Sequence, residues 1–291
     1  MSMIDLHVHS TASDGSLTPR QVVAEAKAQG LRALALTDHD TIDGLAEALA
    51  AGAEMGVEVI PGIEISAQHK PGSMHILGYF LDHRSPVLAT QLQVLKQARA
   101  DRNPQIIAKL QGLGLDISLA EVQQASGGGQ VGRPHIAQVL VSKGYVATFQ
   151  EAFERYIGNH GPAYVSKFRF PPREAIAMIR AAGGVAGLAH PFTLEYSSTG
   201  HLRQILEQLA AWGLGALEVY YPEHSPERQT LYRSLAEELG LVGTGGSDFH
   251  GVIKPEIKLG QVGPGQTIGY EVVAELKARA GIGAQGRGLR N

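Results

Sequence analysis

Seven short apolar runs in this chain read as β-strands, and most are separated by amphipathic helical runs instead of tight hairpin turns. The strands are expected at 3–9, 32–37, 57–62, 74–80, 184–190, 216–221 and 241–248. Helices are expected from the Thr18-Pro19 cap to Gly30, and at 44–54, 172–182, 201–212, 226–239 and 270–280. Strands alternating with helices build a parallel sheet with the helices packed outside it. No glycine fingerprint for a dinucleotide is present, and the reactive side chains gather at the C-terminal ends of strands. Both facts favour an α/β barrel, closed or nearly so, over an open doubly wound sheet.

The alternation stops from about Pro86 to Gly161. That stretch reads as helical segments at 86–112, 118–126, 134–143 and 148–157, punctuated by Pro104 and by glycine-rich breaks. The expected organisation is a barrel from 1–85 and 162–291, with 86–161 a small helical insertion over its mouth. Charge follows the same division. Lys96 to Arg173 carries ten basic and five acidic residues, leaving fifteen basic and twenty-three acidic elsewhere. An acidic body meeting a basic middle suits a phosphorylated substrate, although a basic helical surface alone would give the same count. The overall charge of −3 argues against a surface built for long polyanions. The chain has no cysteine, which excludes disulfides, thiolate metal sites and thiol nucleophiles. No leader-like N-terminus and no long apolar window is present, so a soluble cytoplasmic protein without membrane contact or an obligate protein partner is expected. The one low-complexity stretch is the glycine-rich tail GIGAQGRGLRN.

Six of the twelve histidines lie at strand ends: His7 and His9 (IDLHVHS), His39 (LTDHD), His75 (MHILGYF), His190 (GLAHP) and His250 (GGSDFH). Asp14, Asp38, Glu64 and Asp248 lie beside or between them. Any one of these histidines alone would read as an ordinary core or surface residue. Together they supply the imidazole and carboxylate ligands of catalytic Zn, Mn or Fe ions. His7 and His9 are two apart on a strand, so period-two alternation points both rings the same way. Ten such groups are excessive for a closed structural site, which favours an enzyme over a metal-binding interaction module. Asp5, Asp38 and Asp40 are candidates to receive the second ring N–H of the histidines, or else are acids of strand ends and turns.

The ordered motifs HxHS…DG, LTDHDT, GIEIS, HILGYF, AHP and SDFH resemble those of the PHP (polymerase and histidinol phosphatase) phosphoesterases. They cover residues 1–80 and 184–250. The resemblance implies a distorted (β/α)7 barrel holding two or three divalent ions, with Mn2+ expected and Zn2+ or Fe2+ compatible with the same ligands. By position, His7, His9, Glu64 and Asp248 would hold one ion and the attacking metal-bound hydroxide. Glu64, His75 and His190 would hold a second ion, and Asp14, His39 and His250 a third. None of the nine departs from the family pattern.

The insertion offers Lys96, Arg99, Arg102 and Asn103 at helical spacing, which reads as a phosphate grip or as a solvated face. Arg133 and His135 open a helix after a glycine loop, a second candidate clamp, with Lys143 and Lys167 further basic candidates. The layout resembles a bacterial subgroup that removes the 3′-phosphate of nucleoside 3′,5′-bisphosphates, with relatives that trim short RNA from the 5′ side. The implied activity is thus a phosphomonoesterase acting on a small nucleotide such as adenosine 3′,5′-bisphosphate. A 5′→3′ exoribonuclease on short oligonucleotides, a histidinol phosphatase and an amidohydrolase are the alternatives.

Overall fold

The computed structural model describes residues 3–263 and 265–282. One sheet contains β1 (Met3–Val8), β2 (Ala33–Leu36), β3 (Glu58–Ala67), β4 (Met74–Tyr79), β5 (Val185–Leu188), β6 (Ala216–Tyr220), β7 (Val242–Gly245) and a two-residue β8 (Ile268–Gly269). Their order is β7-β6-β5-β4-β3-β2-β1-β8, and the two long edges turn toward one another. Val8 bridges Phe249, His9 N donates to Phe249 O at 3.0 Å, and Asp248 N donates to His7 O at 2.9 Å. Gly246 makes the approach feasible, because a Cβ there would lie 2.3 Å from that of His7. The result is a nearly closed, distorted barrel with one short extra strand beside β1.

The helices in chain order are α1 (Pro19–Ala28), α2 (Leu45–Met55), α3 (Pro86–Gly112), α4 (Leu119–Ala125), α5 (Arg133–Ser142), α6 (Phe149–Ala152), α7 (Pro172–Ala181), α8 (Thr199–Ala211), α9 (Pro226–Glu238) and α10 (Glu271–Arg279). α6 runs on as a π-helical turn, Phe153–Ile157. The start of α1 follows its sequence signals: Thr18 Oγ1 accepts from Gln21 N, the Gln21 side chain accepts from Thr18 N, and Pro19 opens the first turn. Its buried stripe is Pro19, Val22, Val23 and Ala26.

Three expectations need correction. The sheet is not all parallel, since β4 runs antiparallel to both β3 and β5. The connection between β3 and β4 spans only residues 68–73, too short for a crossover. Second, β3 does not stop at Pro61-Gly62 but continues to Ala67, so Glu64 sits within the strand. The Pro-Gly pair looks like a terminator in sequence. In the sheet Gly62 is required because a Cβ would meet Leu36 O at 2.9 Å and Gly78 O at 3.0 Å. Third, β8 adds an eighth strand that its two-residue length kept below recognition. From residue 283 onward the glycine-rich tail lies outside the described residues.

Three apolar clusters divide the interior. Ile4, Leu6, Ala33, Ala35, Ile60, Leu77, Val185 and Ala216 fill the barrel, with Val272, Val273 and Leu276 of α10 joining them. A larger cluster, including Leu34, Leu36, Ile63, Ile65 and Leu217, packs the strands' other faces against the helices. The third is drawn only from residues between Ile106 and Ala163. α3 belongs to two of them. Leu88, Leu92 and Leu95 pack in the larger cluster outside the strands, while Ile106, Ile107 and Leu110 pack in the third. The helix passes Pro104 unbroken between these two contacts, and Arg99, Arg102 and Asn103 stand at the changeover.

Candidate metal centre and anion clamp

At one end of the barrel the strand termini bring nine histidines and acids into overlapping groups. His7, His9, Glu64 and Asp248 form one set, His9, Asp14, His39 and His250 another, and His39, Glu64 and His75 a third, each with ligand atoms within 4.8 Å of one another. His190 joins the third, its Nε2 lying 3.1 Å from Glu64 Oε1. The first set is compact. His7 Nε2 and His9 Nε2 each lie 3.3 Å from Glu64 Oε2, and 3.4 and 3.1 Å from Asp248 Oδ1. A tetrahedron of ligands at about 2.0–2.1 Å from a Zn-like ion has edges of about 3.3–3.4 Å, so these four atoms fit one cation.

Local backbone explains the convergence. The β1–β2 register slips between Asp5 and Val8, so Leu6 joins the barrel filling while His7 and His9 reach the ligand group. His39 and Glu64 are paired in an isolated bridge beyond β2. His190 and Asp248 are delivered by loops at φ of 23° and 55°, left-handed conformations costing about 1–2 kcal/mol each for residues with a Cβ.

The polar atoms are arranged for a ligand they do not themselves provide. His7 Nε2, both ring nitrogens of His9, His39 Nδ1 and Glu64 Oε2 are buried without hydrogen-bond partners. Burial pushes Asp14, Glu64 and Asp248 upward, yet neighbouring histidines, and Lys254 beside Asp248, outweigh it and hold all three well below the usual carboxylate range. They are therefore anionic at neutral pH. Outer contacts set the tautomers. His250 Nδ1 faces Asp248 O at 2.7 Å and must donate to it, leaving Nε2 free toward Asp14 Oδ1 at 3.3 Å. His190 Nδ1 lies 3.2 Å from Thr193 Oγ1, which itself donates to Ser73 O at 3.0 Å. Asp248 Oδ2 accepts from Tyr221 OH at 3.0 Å and Lys254 Nζ at 2.6 Å, so only Oδ1 faces the ligand group.

The three acids expected to receive histidine N–H groups do something else. Asp5 accepts from Ser247 N and Oγ, Gly260 N and the backbone of His7, fastening the barrel seam. Asp38 accepts from Ser10 and Ser13. Asp40 binds Arg99 NH2 at 2.5 Å, the Lys167 ammonium and Ser66. The acid that does receive an imidazole N–H, Glu218, was not singled out from sequence, and neither were Tyr221 and Lys254. Glu218 lies mid-strand in ALEVY, where one acid among apolar residues ordinarily marks a solvent face.

Beside this centre lies a donor-rich cluster. Arg99, Arg102, Arg133, Arg169 and Lys167 stand close enough that the charges of Arg99 and Arg169 act on Arg102 and Arg133, and among the described residues Asp40 is the only carboxylate within ion-pair distance of any of the five. Burial, then the charges of Arg99, Arg133 and Arg169, bring Arg102 down to about 9. Burial and Arg99 bring Lys167 down to about 7 despite Asp40. Arg102 is 3% exposed and its Nε has no partner. Arg133 lies over Phe153 at 5.4 Å and donates to Ile157 O at 3.1 Å.

Other clamp candidates are committed to the fold. His135 Nδ1 accepts from Gly132 N at 3.0 Å, and Asn103 is shared between Arg102 and Val131 O. Lys96 pairs with Asp43, and Lys143 with Asp116 and Glu121, on the surface. Arg169 was not anticipated. A cavity of about 650 Å3 includes His39, Glu64, His75, His190 and Asp248 in its lining. Its walls come from both parts of the chain: Pro134, Phe149 and Phe153 on one side of the sequence division, Phe192 and Tyr221 on the other.

Comparison with known proteins agrees with this geometry. The PHP domain matches residues 5–237. The chain belongs to the PHP family. It is 39% identical over 84% of its length to a 5′-3′ exoribonuclease of Haemophilus influenzae, 89% of which is covered. It is 36% identical over 86% of its length to a 3′,5′-nucleoside bisphosphate phosphatase of Chromobacterium violaceum, 88% of which is covered. A solved structure from Bifidobacterium adolescentis, assigned as a metal-dependent phosphoesterase, superposes with a TM-score of 0.86 at 30% identity, covering 96% of each chain. This PHP protein is a metal-dependent phosphoesterase, and its His/Asp/Glu groups suit divalent cations. Among the described residues no helix is long and apolar enough to cross a membrane.

Proposed function

We propose that the protein removes the 3′-phosphate from nucleoside 3′,5′-bisphosphates, of which adenosine 3′,5′-bisphosphate is the test case. The observation that carries this reading is the cluster of buried Arg102, half-buried Arg99, Arg133 and Arg169, and Lys167, with Asp40 the one acid in ion-pair reach among the described residues, adjoining the cation groups at His39–Asp40. A plain phosphate monoester needs only the cation centre. A cluster with surplus, largely shielded positive charge calls for a second anion, and guanidinium forks bind phosphate in bidentate fashion.

In this reading His7, His9, Glu64 and Asp248 hold one ion, Glu64 with His75 and His190 a second, and Asp14, His39 and His250, with His9, a third. Mn2+ is the cation proposed, and Zn2+ or Fe2+ would satisfy the same ligands. Bound there, such ions would neutralise the phosphoryl oxygens and lower the pKa of an attacking water toward about 7. The protein's part is orientation. Glu64 presents Oε1 and Oε2 to different neighbours, Asp248 is kept to one free oxygen by Tyr221 and Lys254, and Arg99, Arg102 and Arg133 hold the 5′-phosphate. Asp40 keeps Arg99 and Lys167 in place until that phosphate arrives. Residues 86–161 act as a cap, bringing Phe149 and Phe153 over the barrel mouth.

The 39% identity to an exoribonuclease supports a second reading, in which the same cluster grips the 5′-phosphate of a short oligonucleotide. Phosphate release with Mn-loaded protein should be compared for adenosine 3′,5′-bisphosphate and histidinol phosphate, with nucleotide release followed from a 5′-phosphorylated oligonucleotide. Preference for the bisphosphate is expected. Faster turnover of histidinol phosphate, or action on the oligonucleotide alone, would reject the assignment.

A further inference from the structure

β6 carries one acid that belongs to neither the cation groups nor the anion cluster. Glu218 lies between Leu217 and Val219, is 0% exposed, and points into the barrel below the ligands. A carboxylate in such a place is costly unless both oxygens are satisfied. Its Oε1 lies 3.0 Å from His7 Nδ1, and its Oε2 accepts from His190 N at 2.6 Å. Both partners are residues whose rings reach Glu64, yet they come from distant segments, β1 and the loop after β5.

We infer that Glu218 is a positioning residue for two cation positions at once. Glu218 Oε1 stands where it can accept from His7 Nδ1, so a His7 that ligates through Nε2 carries its ring proton on Nδ1. Nε2 is the nitrogen 3.3 Å from Glu64 Oε2 and 3.4 Å from Asp248 Oδ1. The second oxygen anchors His190, whose φ of 23° and ψ of 69° would otherwise relax, with its Nε2 3.1 Å from Glu64 Oε1. One side chain thereby sets the tautomer of one ligand and the backbone of another, on either side of the shared carboxylate. The remaining histidine contacts are local by comparison: Thr193 serves His190 from three residues away.

The inference rests on the metal-centre reading above, and its test is metal binding itself. Metal-free protein is titrated with Mn2+ alone, following free Mn2+ by electron paramagnetic resonance and heat by calorimetry. Glu218→Gln keeps the side chain's shape but offers an amide N–H where one partner also donates. It should weaken two Mn2+ positions by about 10- to 100-fold while leaving the thermal midpoint of the metal-free protein within a few degrees. Thr193→Val, which removes the His190 ring contact together with the hydroxyl's bonds to Ser73 O and His190 O but leaves His7 untouched, should weaken one. Wild-type affinity and stoichiometry in folded Glu218→Gln would overturn the inference. If that variant does not fold, nitrogen-15 NMR of the wild-type protein loaded with diamagnetic Zn2+ decides instead: His7 must carry its ring proton on Nδ1, and a proton on Nε2 overturns it. A wild-type protein that binds no divalent cation would sink the metal-centre reading as well, an outcome distinct from equal binding by the two proteins.

Discussion

The cation groups and the arginine cluster touch at His39–Asp40 but are opposite in chemistry. Around Glu64 the buried atoms without partners are imidazole nitrogens and a carboxylate oxygen, an excess of lone pairs. Around Arg102 the excess is of N–H donors, with Asp40 the one acid in ion-pair reach of the cluster among the described residues. The first region is stabilised by cations and the second by anions. Low dielectric in both makes an unmatched group costly, so the unpaired atoms of each region state which charge would match it. The scaffolds differ as well. The lone-pair-rich region stands on strand ends of a barrel, whereas the donor-rich one stands on α3, α5 and the segment before α7.

The largest effects should come from the cation side and fall on every substrate alike. Chelation, or His9→Ala, should reduce turnover of both a bisphosphate and p-nitrophenyl phosphate by on the order of 10^3-fold or more, about 4 kcal/mol of barrier. Steady-state assays with both esters check this, and loss on only one would break the division between the regions. Next, Arg102→Ala should raise KM for adenosine 3′,5′-bisphosphate by about 10- to 100-fold, the value of one or two charge-assisted hydrogen bonds. KM for p-nitrophenyl phosphate should hold steady. Equal rises would show that the cluster does not discriminate a second phosphate.

A pH titration sharpens the same contrast. Lys167 is depressed to about 7 against an ordinary 10.5, first by burial and then by Arg99. The folded protein therefore loses this positive charge as pH rises through about 7, and KM for the bisphosphate should climb several-fold between pH 6 and 8, an effect removed in Lys167→Met. Between about pH 7 and 10.5 the unfolded chain binds the extra proton, so this group's contribution to stability declines as pH falls through that window. Denaturant unfolding at pH 7 and 9 should show the wild type gaining relative to Lys167→Met at the higher pH. The smallest change is Tyr221→Phe. It removes one hydrogen bond to Asp248 Oδ2 while Lys254 remains, and should lower kcat by about 2- to 10-fold, about 0.5–1.5 kcal/mol, without moving the bisphosphate KM.

The residues that sequence made legible share a property. His7, His9, His39 and Asp248 interrupt apolar strands at their ends, where an imidazole or acid has no packing role. Glu218 and Tyr221 stand in or just beyond a single short strand and gain meaning only from partners more than 20 residues away, His7 and Asp248. Asp5 and Asp38 share the ligands' place near strand ends, yet they accept from serines and backbone N–H groups instead of imidazoles. On α3, Arg99 and Arg102 lie on its inner side but Lys96 pairs at the surface; spacings of three and four describe neighbourhood on a helix, not which face a second core will cover.

What the chain order of strands, helices and strand-end ligands determined by itself was a barrel with its polar residues at one end and a basic helical segment set between its two parts. Periodicity and charge are local quantities, so they could carry that much. Only the tertiary structure decided that β4 is reversed, that β1 meets the end of β7 across a glycine, that His9 is common to two ligand sets, and that two members of a five-residue basic cluster pair with one aspartate. Each depends on groups far apart in sequence being pressed together with water excluded, and that desolvation, absent from any local pattern, is what turns scattered acids and bases into two sites of opposite demand.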